Sequence, residues 1–462
     1  MTDARTLERP LTKVAENAPT RALTRDNVTL NPQRPEYDRF RAWFTRPLLG
    51  RPAVLDAEET ASLAEDLPAL LRLLQELPKR LFDGDETAFA RALGWDGELA
   101  TAALELLSGP PMPVGRADLV KSPNGFQVVE FNTSSSLGSF EFGELCRAVL
   151  ADPAFAGAAG RLGLTYRDPM ALLADTLLKL TGRDPDDPPV VALVGWLTEP
   201  FIVDASLFTG LLQDLGFTVV AGKLSDLEIR TDGVHLQGVR VDVVYRTFLL
   251  KTLAEGEHSA DALRPLAHAV ARGDVFLFSP LNSDLFGSKA CFAMLSDEEN
   301  KHAFSPAELG VIDRLVPWTR SMTGADQRAC DGTGSLAEHV MRERRELVLK
   351  PSIGHAGRGV VAGWMTEDDE WAQLVRTAVL GGYVVQRRVP SVAERFPLLD
   401  PTDNEHRSAG CFLHWGLFVT DAGLSGGFVK GVLDREQDIR YLGDGSHVGC
   451  IFHAPVDETR RI

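Results

Sequence analysis

Residues 116–132, RADLVKSPNGFQVVEFN, constrain the fold more than any other stretch of the chain. They read as two strand-forming runs around KSPNG, a segment rich in turn formers. Such a hairpin would bury polar groups, for it carries Arg116, Asp118, Glu130 and Asn132. An unpaired charge taken out of water is costly, so these groups imply a counter-charge, a metal or a ligand. Residues two apart on a strand share a face, which groups Arg116 with Asp118 and Glu130 with Asn132. Closing the turn with Val120 opposite Phe126 predicts Arg116 opposite Glu130 and Asp118 opposite Val128, with all four polar side chains on one face. Two carboxylates and an amide oxygen then form a hard-donor set suited to Mg²⁺ that bridges phosphates, with Arg116 beside them to meet an anion. The alternative is a solvated hairpin face with an ordinary Arg–Glu cross-strand pair.

The length of 462 residues favours about three domains or lobes. A net charge of -17 repels phosphate backbones and anionic lipid, which disfavours nucleic acid and membrane surfaces as partners. The N-terminus MTDARTLERPLTK lacks the apolar core of a secretory signal. Five widely spaced cysteines, Cys146, Cys291, Cys330, Cys411 and Cys450, argue against a disulfide framework and for the reducing cytoplasm.

Residues 1–35 show no apolar periodicity and read as a tail or arm. Residues 36–185 combine helical patterns, such as EETASLAEDLPALLRLLQELPKRLF, with the polar hairpin, and end at the Pro- and Asp-rich linker TGRDPDDPP. Residues 186–280 alternate short apolar runs (VVALVG, FTVVAG, VDVVYR, VFLFSP) with helical segments, which predicts an α/β lobe with parallel pairing. Residues 281–462 hold further helices, a Gly-rich hairpin and two long strands, CFLHWGLFVT and LSGGFVKGVL, joined by DAG. Cys411 and His414 read as ordinary residues of the first of these.

Other groups point to an anion. In ELVLKPSIGHAGRGVVAGW, Lys350 ends one strand, and Gly354, Gly357 and Gly359 free the loop backbone to approach phosphate oxygens. The order is not that of a Walker loop. Lys289, at the start of a short helical pattern, is either a second phosphate ligand or a solvated lysine. GGYVVQRRVP runs from a strand into Gln386, Arg387 and Arg388, which offers amide and backbone groups to a purine edge or guards a sheet edge. His447, Cys450 and His453 recur at three but lack a fourth zinc ligand. Arg246, in VVYRTF, is either a carboxylate holder or a structural ion-pair partner.

In their order along the chain these pieces resemble a circularly permuted ATP-grasp ligase of the glutathionylspermidine synthetase branch. The motifs are RAD (116–118), EFN (130–132), SKA (288–290), KPSIGHAG (350–357), Gln386 and GGFV (426–429). The resemblance covers residues 112–435 and implies an ATP-grasp fold with a helical N-terminal region and a Rossmann-like pre-ATP-grasp lobe. It implies Asp118, Glu130 and Asn132 as Mg²⁺ ligands and Arg116 as the stabiliser of an acyl phosphate and the tetrahedral intermediate. Lys289 and Lys350 would hold the ATP phosphates under a lid of Gly354, His355, Gly357, Arg358 and Gly359. Gln386, with the Arg387 and Val389 backbone, would lie beside adenine. Lys430 stands where the family tends to place an arginine, and His355 and Arg358 depart from the usual loop residues. Ser134, Ser135 and Ser136 form a candidate substrate loop. The implied reaction joins a small-molecule or peptide carboxylate to an amine at the expense of ATP. A kinase on the same fold and a nucleotide-binding scaffold without catalysis remain the alternatives.

Overall fold

A computed structural model describes residues 16–134, 137–196, 205–255, 259–327, 334–354, 357–399, 406–433 and 446–455. From residue 16 onward the arm is docked structure. A helix at Ala18–Arg25 begins at Asn17, whose side chain accepts the Thr20 N–H at 3.1 Å and donates to Val54 O at 2.7 Å and Glu59 at 2.9 Å. Leu23 is fully buried there, and Val28 and Leu30 just beyond it are buried in the same apolar cluster, so residues without a sequence-visible period are docked by one cap and three apolar side chains. Next comes the 25-residue helix Ala57–Leu81, which opens on a reciprocal capping box between Asp56 and Glu59. Its Leu63, Leu67, Leu70, Leu74 and Leu77, spaced at three and four, are buried against apolar residues of the main sheet.

That sheet runs in the order Ala53–Leu55, His447–His453, Gly423–Val432, His406–Thr420, Val114–Ser122, Gly125–Asn132, and Ala393–Leu399 also pairs with His406–Thr420. The long C-terminal hairpin expected from the sequence is present, and its first strand receives the polar hairpin directly: Arg116 lies opposite Phe418 and Asp118 opposite Gly416. Chain segments almost 300 residues apart are thereby fixed in one register. Ala117, Leu119 and Phe131 point into the leucine-rich core, so their neighbours in the alternation face the other way.

The expected α/β lobe is a four-stranded parallel sheet, Phe276–Phe278, Val243–Arg246, Val191–Gly195 and Val219–Lys223, with an added antiparallel ribbon of three short strands spanning 227–241. A third sheet carries the Gly-rich hairpin. Leu347–Pro351 pairs antiparallel with Val361–Ala362 on one side and with Tyr383–Arg387 on the other. The helices Leu336–Arg342 and Asp368–Val379 bury Val340, Trp371 and Val375 against it. The chain is thus a mixed α/β protein, and among the described residues no helix is long and apolar enough to cross a membrane.

Candidate active site

The polar hairpin reaches its geometry by a route other than the one expected. Ser122 pairs with Gly125, closing a two-residue turn at Pro123 and Asn124, and Leu119 lies opposite Val128. Continued without a break, that register would place Asp118 opposite Val129 and turn Glu130 and Asn132 to the other face. A β-bulge intervenes between Asp118 and Leu119. It adds Val129 as an extra residue, so that Asp118 lies opposite Glu130 and Arg116 opposite Asn132. The expected partners, Arg116 with Glu130 and Asp118 with Val128, are therefore corrected by two residues along the partner strand, to Asn132 and Glu130, and because the shift is even the four side chains still share a face.

On that face the charges are paired. Arg116 grips Asp118 with Nε at 2.8 Å and Nη2 at 3.3 Å, and its Nη1 donates to Gly138 O at 3.0 Å. Asn132 Nδ2 donates to the same carboxylate at 3.2 Å. Burial raises the Asp118 pKa, but the Arg116 and Lys430 charges outweigh it and hold the carboxyl below its usual range. Lys289 Nζ donates to Glu130 Oε1 at 2.9 Å and to Gly354 O at 3.1 Å. Lys350 Nζ donates to Gln386 Oε1 at 2.6 Å and to Val129 O, the carbonyl of the bulged residue, at 3.1 Å. Burial lowers the Lys350 pKa to about 8, with Lys289 pushing the same way and Glu130 and Asp118 opposing.

Lys430 comes from the adjoining strand. Its ammonium lies over the Phe428 ring at 5.4 Å, as the Arg116 guanidinium does at 5.3 Å. Burial lowers its pKa, and Asp118 pulls against that shift. Gly416, between Asp118 and Phe428 in the cross-strand row, makes room for this ring: a Cβ there would stand 2.6 Å from it.

These groups line one cleft together with Val348, Gly357, Val360, Trp364, Gln386, Arg387, Arg388, Val389 and His414. The Gln386 side chain is taken up by Lys350 and by Thr319, to which it donates at 3.1 Å, so it orients the lysine rather than presenting a free edge to a base. Gly357 and Gly359 have positive φ, +70° and +74°, which accounts for glycine at both positions. Arg358 is exposed and does not line the cleft. His355, Ser135 and Ser136 lie outside the described residues, whereas Ser134 lines a smaller cavity on the far side of Glu130.

Arg246 is not in the cleft. It is fully buried and donates to Ser279 O at 2.7 Å, Ser279 Oγ at 3.2 Å, Pro280 O at 3.1 Å, Phe248 O and Asp284 at 2.7 Å. The expectation of a carboxylate holder is corrected to a structural ion pair. Cys450 alternates to the face opposite His447 and His453 on one strand, so the three cannot share a tetrahedral centre. Among the described residues no cluster of three or more His, Cys, Asp and Glu exists. A cation here would be held by Asp118, Glu130 and the Asn132 amide oxygen, and the donor chemistry fits Mg²⁺, which takes one or two carboxylates and completes its shell with water and phosphate.

Sequence reasoning missed His414, Trp364 and Phe428 as cleft residues. For His414 and Phe428 a signal existed, because alternation along the two long strands puts them on the face of Gly416 and Lys430. Trp364 had none: it reaches the cleft from a short helical turn and stacks on Arg388 at 3.8 Å.

No family model and no curated protein matches the chain. Among solved structures the fold is similar to a glutathione synthetase-like effector from Globodera pallida in its apo form. That match has 12% identity and a TM-score of 0.53, over 89% of this chain and 90% of that one. A protein provisionally named gamma-glutamylcysteine synthetase from Methylobacillus flagellatus KT matches with 14% identity and a TM-score of 0.39, over 83% and 86%, too low a score to carry weight. The likeness to the first is one of fold: the two chains share a mixed α/β architecture over nearly their whole length.

Proposed function

We propose that the protein is an ATP- and Mg²⁺-dependent carboxylate–amine ligase on a circularly permuted ATP-grasp fold, akin to the glutathionylspermidine synthetase branch. One observation carries the reading: Lys289, Lys350, Arg116, Asp118 and Glu130, drawn from four separate segments, converge in a single cleft under a Gly-rich hairpin. A surface hairpin does not gather two buried lysines: Lys289 is paired with Glu130, but Lys350, 8% exposed, donates to two neutral acceptors, Gln386 Oε1 and Val129 O, which makes an anionic ligand its natural counter-charge.

In this reading Lys289 and Lys350 receive the ATP phosphates, and Val348, Val360 and Val389 face the base. Arg116 and Lys430 neutralise charge as the carboxylate takes the γ-phosphoryl group and an amine then attacks the acyl phosphate. Asp118 holds the Arg116 guanidinium in its plane. When bound at Asp118, Glu130 and Asn132, Mg²⁺ supplies charge neutralisation for the transferring phosphoryl group. No protein nucleophile is required.

The test is an ADP-release screen over pools of small carboxylates and amines with Mg²⁺-ATP. ADP and phosphate appearing only when an acid and an amine are both present support the ligase. A released phosphorylated acid without an amine would make the protein a kinase, and AMP with pyrophosphate would reject the mechanism.

A further inference from the structure

Every second residue of the segment 138–142 bears on Arg116. The Gly138 carbonyl accepts from Arg116 Nη1 at 3.0 Å. The Phe140 ring stacks at 4.3 Å on Phe418, which lies opposite Arg116 in the sheet. The Phe142 ring stacks at 4.8 Å on Phe428, over which the Arg116 guanidinium sits at 5.3 Å. The guanidinium is thereby held at its edge by a carbonyl, while the rings beside and beneath it are held by the same short segment. Of its five N–H donors, Asp118 takes two and Gly138 one, which leaves two for an anion in the cleft.

The intervening residues close the corner. Ser139 has φ +84°, in the left-handed region that residues other than glycine adopt at a cost. Its N–H donates to Glu141 Oε2 at 3.1 Å. Glu141 immediately precedes the helix Phe142–Ala151, yet its side chain makes no capping bond to that helix and turns back to Ser139 instead. Glu141 is 6% exposed. Burial pushes its carboxyl up to about 7, opposed by its own backbone N–H and that of Ser139 rather than by a cation. A buried acid without a counter-charge is a costly way to fill space, whereas an acceptor at this point is what holds the Ser139 corner.

The geometry points to residues 138–142 as a brace for Arg116, with Glu141 as its latch. Glu141 holds the Ser139 corner, the corner aims the Gly138 carbonyl, and the carbonyl fixes the plane of a guanidinium that lines the cleft. Glu141 is therefore a positioning residue, acting through Arg116 and touching no ligand itself. The brace rests on these contacts alone; its service to catalysis rests on the ligase reading, in which Arg116 neutralises charge on the acyl phosphate.

Phenylglyoxal labelling of the full chain, read by peptide mass spectrometry, measures how firmly Arg116 is held, and the fully buried Arg246 reports any general unfolding. Glu141→Ala removes the latch and should speed Arg116 labelling by roughly tenfold, the loss of one hydrogen bond to a charged group, with Arg246 still protected. Glu141→Gln keeps an acceptor oxygen, and Ser139→Gly added to Glu141→Ala lets the corner form without one, so both should return Arg116 labelling to near that of the unsubstituted protein. Unchanged Arg116 labelling in Glu141→Ala overturns the brace. So does a double variant labelled as fast as Glu141→Ala, which would make Glu141 a support of the helix or of the fold at large. If Arg246 is also labelled in Glu141→Ala, that variant has unfolded and the double variant decides: it must protect both arginines, and failure at either overturns the brace. With the acid and amine that the ADP screen supplies, Glu141→Ala should lower kcat roughly tenfold at an unchanged KM for ATP, and Ser139→Gly should restore it; a loss that Ser139→Gly leaves in place refutes the catalytic service. A screen that yields no such pair defeats the ligase reading and leaves the labelling result standing.

Discussion

Lys350→Met gives the sharpest test of the electrostatics at the centre of the cleft. In the folded protein burial lowers the Lys350 pKa to about 8, against an ordinary 10.5 in the unfolded chain. At 1.36 kcal/mol per pH unit, keeping that ammonium charged inside the fold at pH 7 costs about 3 kcal/mol. Methionine of similar length removes the cost but leaves Gln386 Oε1 and Val129 O without their donor, a penalty of about 1–3 kcal/mol. The two nearly cancel, so the variant should match the wild type in stability at pH 7 to within about 2 kcal/mol.

The diagnostic is the pH dependence. Between pH 8 and 10.5 the folded wild type has released the proton while the unfolded chain still binds it. Wild-type stability relative to the variant must then rise with pH in that window, by about 2 kcal/mol near pH 10, and stay flat below pH 8. Urea melts of both proteins from pH 6.5 to 10 measure the difference directly. A difference that is flat across the range, or that falls above pH 8, would refute the claim that a buried, charge-strained lysine sits under the Gly-rich hairpin. Anionic phosphates should also draw a proton onto Lys350 when they bind near pH 8.5, which titration in buffers of different ionisation enthalpy detects.

Three further outcomes follow from contacts described above. Glu130→Gln keeps an acceptor for Lys289 but loses a ligand charge, so melting should be retained while ADP release falls by at least about a hundredfold; near-normal turnover would remove Glu130 from the site. Gly416→Ala drives a methyl group into the Phe428 ring, which lies beneath Arg116 and Lys430, and should cost about 1–3 kcal/mol and lower kcat more than it changes nucleotide affinity. Arg246→Met leaves Asp284 buried without its cation, and denaturant melts should show a loss of about 3–5 kcal/mol; a loss below 1 kcal/mol would contradict the structural role given to that arginine.

Much of this molecule is legible in its residues taken in order. Short apolar runs alternating with helical periods specified the parallel lobe, and the leucine spacing of the helix Ala57–Leu81 specified its buried stripe, because both are local consequences of side-chain period. The same rule grouped Asp118 with Arg116 and Glu130 with Asn132, whereas Lys289 and Lys350 were singled out by the motifs around them and not by period. What local period leaves open is register. Val128 and Val129 are both apolar, so nothing in the hairpin itself says which of them is the extra residue. One step of slip would send Glu130 and Asn132 into the leucine core. The tertiary structure decides it: the strand His406–Thr420 fixes Val114–Ser122 from one side, and Lys350, more than 200 residues away, takes the carbonyl that the bulge frees. Arg246 shows the same limit from the other direction. Its sequence context fits a ligand-binding arginine, and only the packing of Ser279, Pro280 and Asp284 around it consumes its donors and makes it part of the frame. Face and element type follow from neighbours in sequence, whereas the pairing of charges depends on long-range contacts that no local pattern encodes.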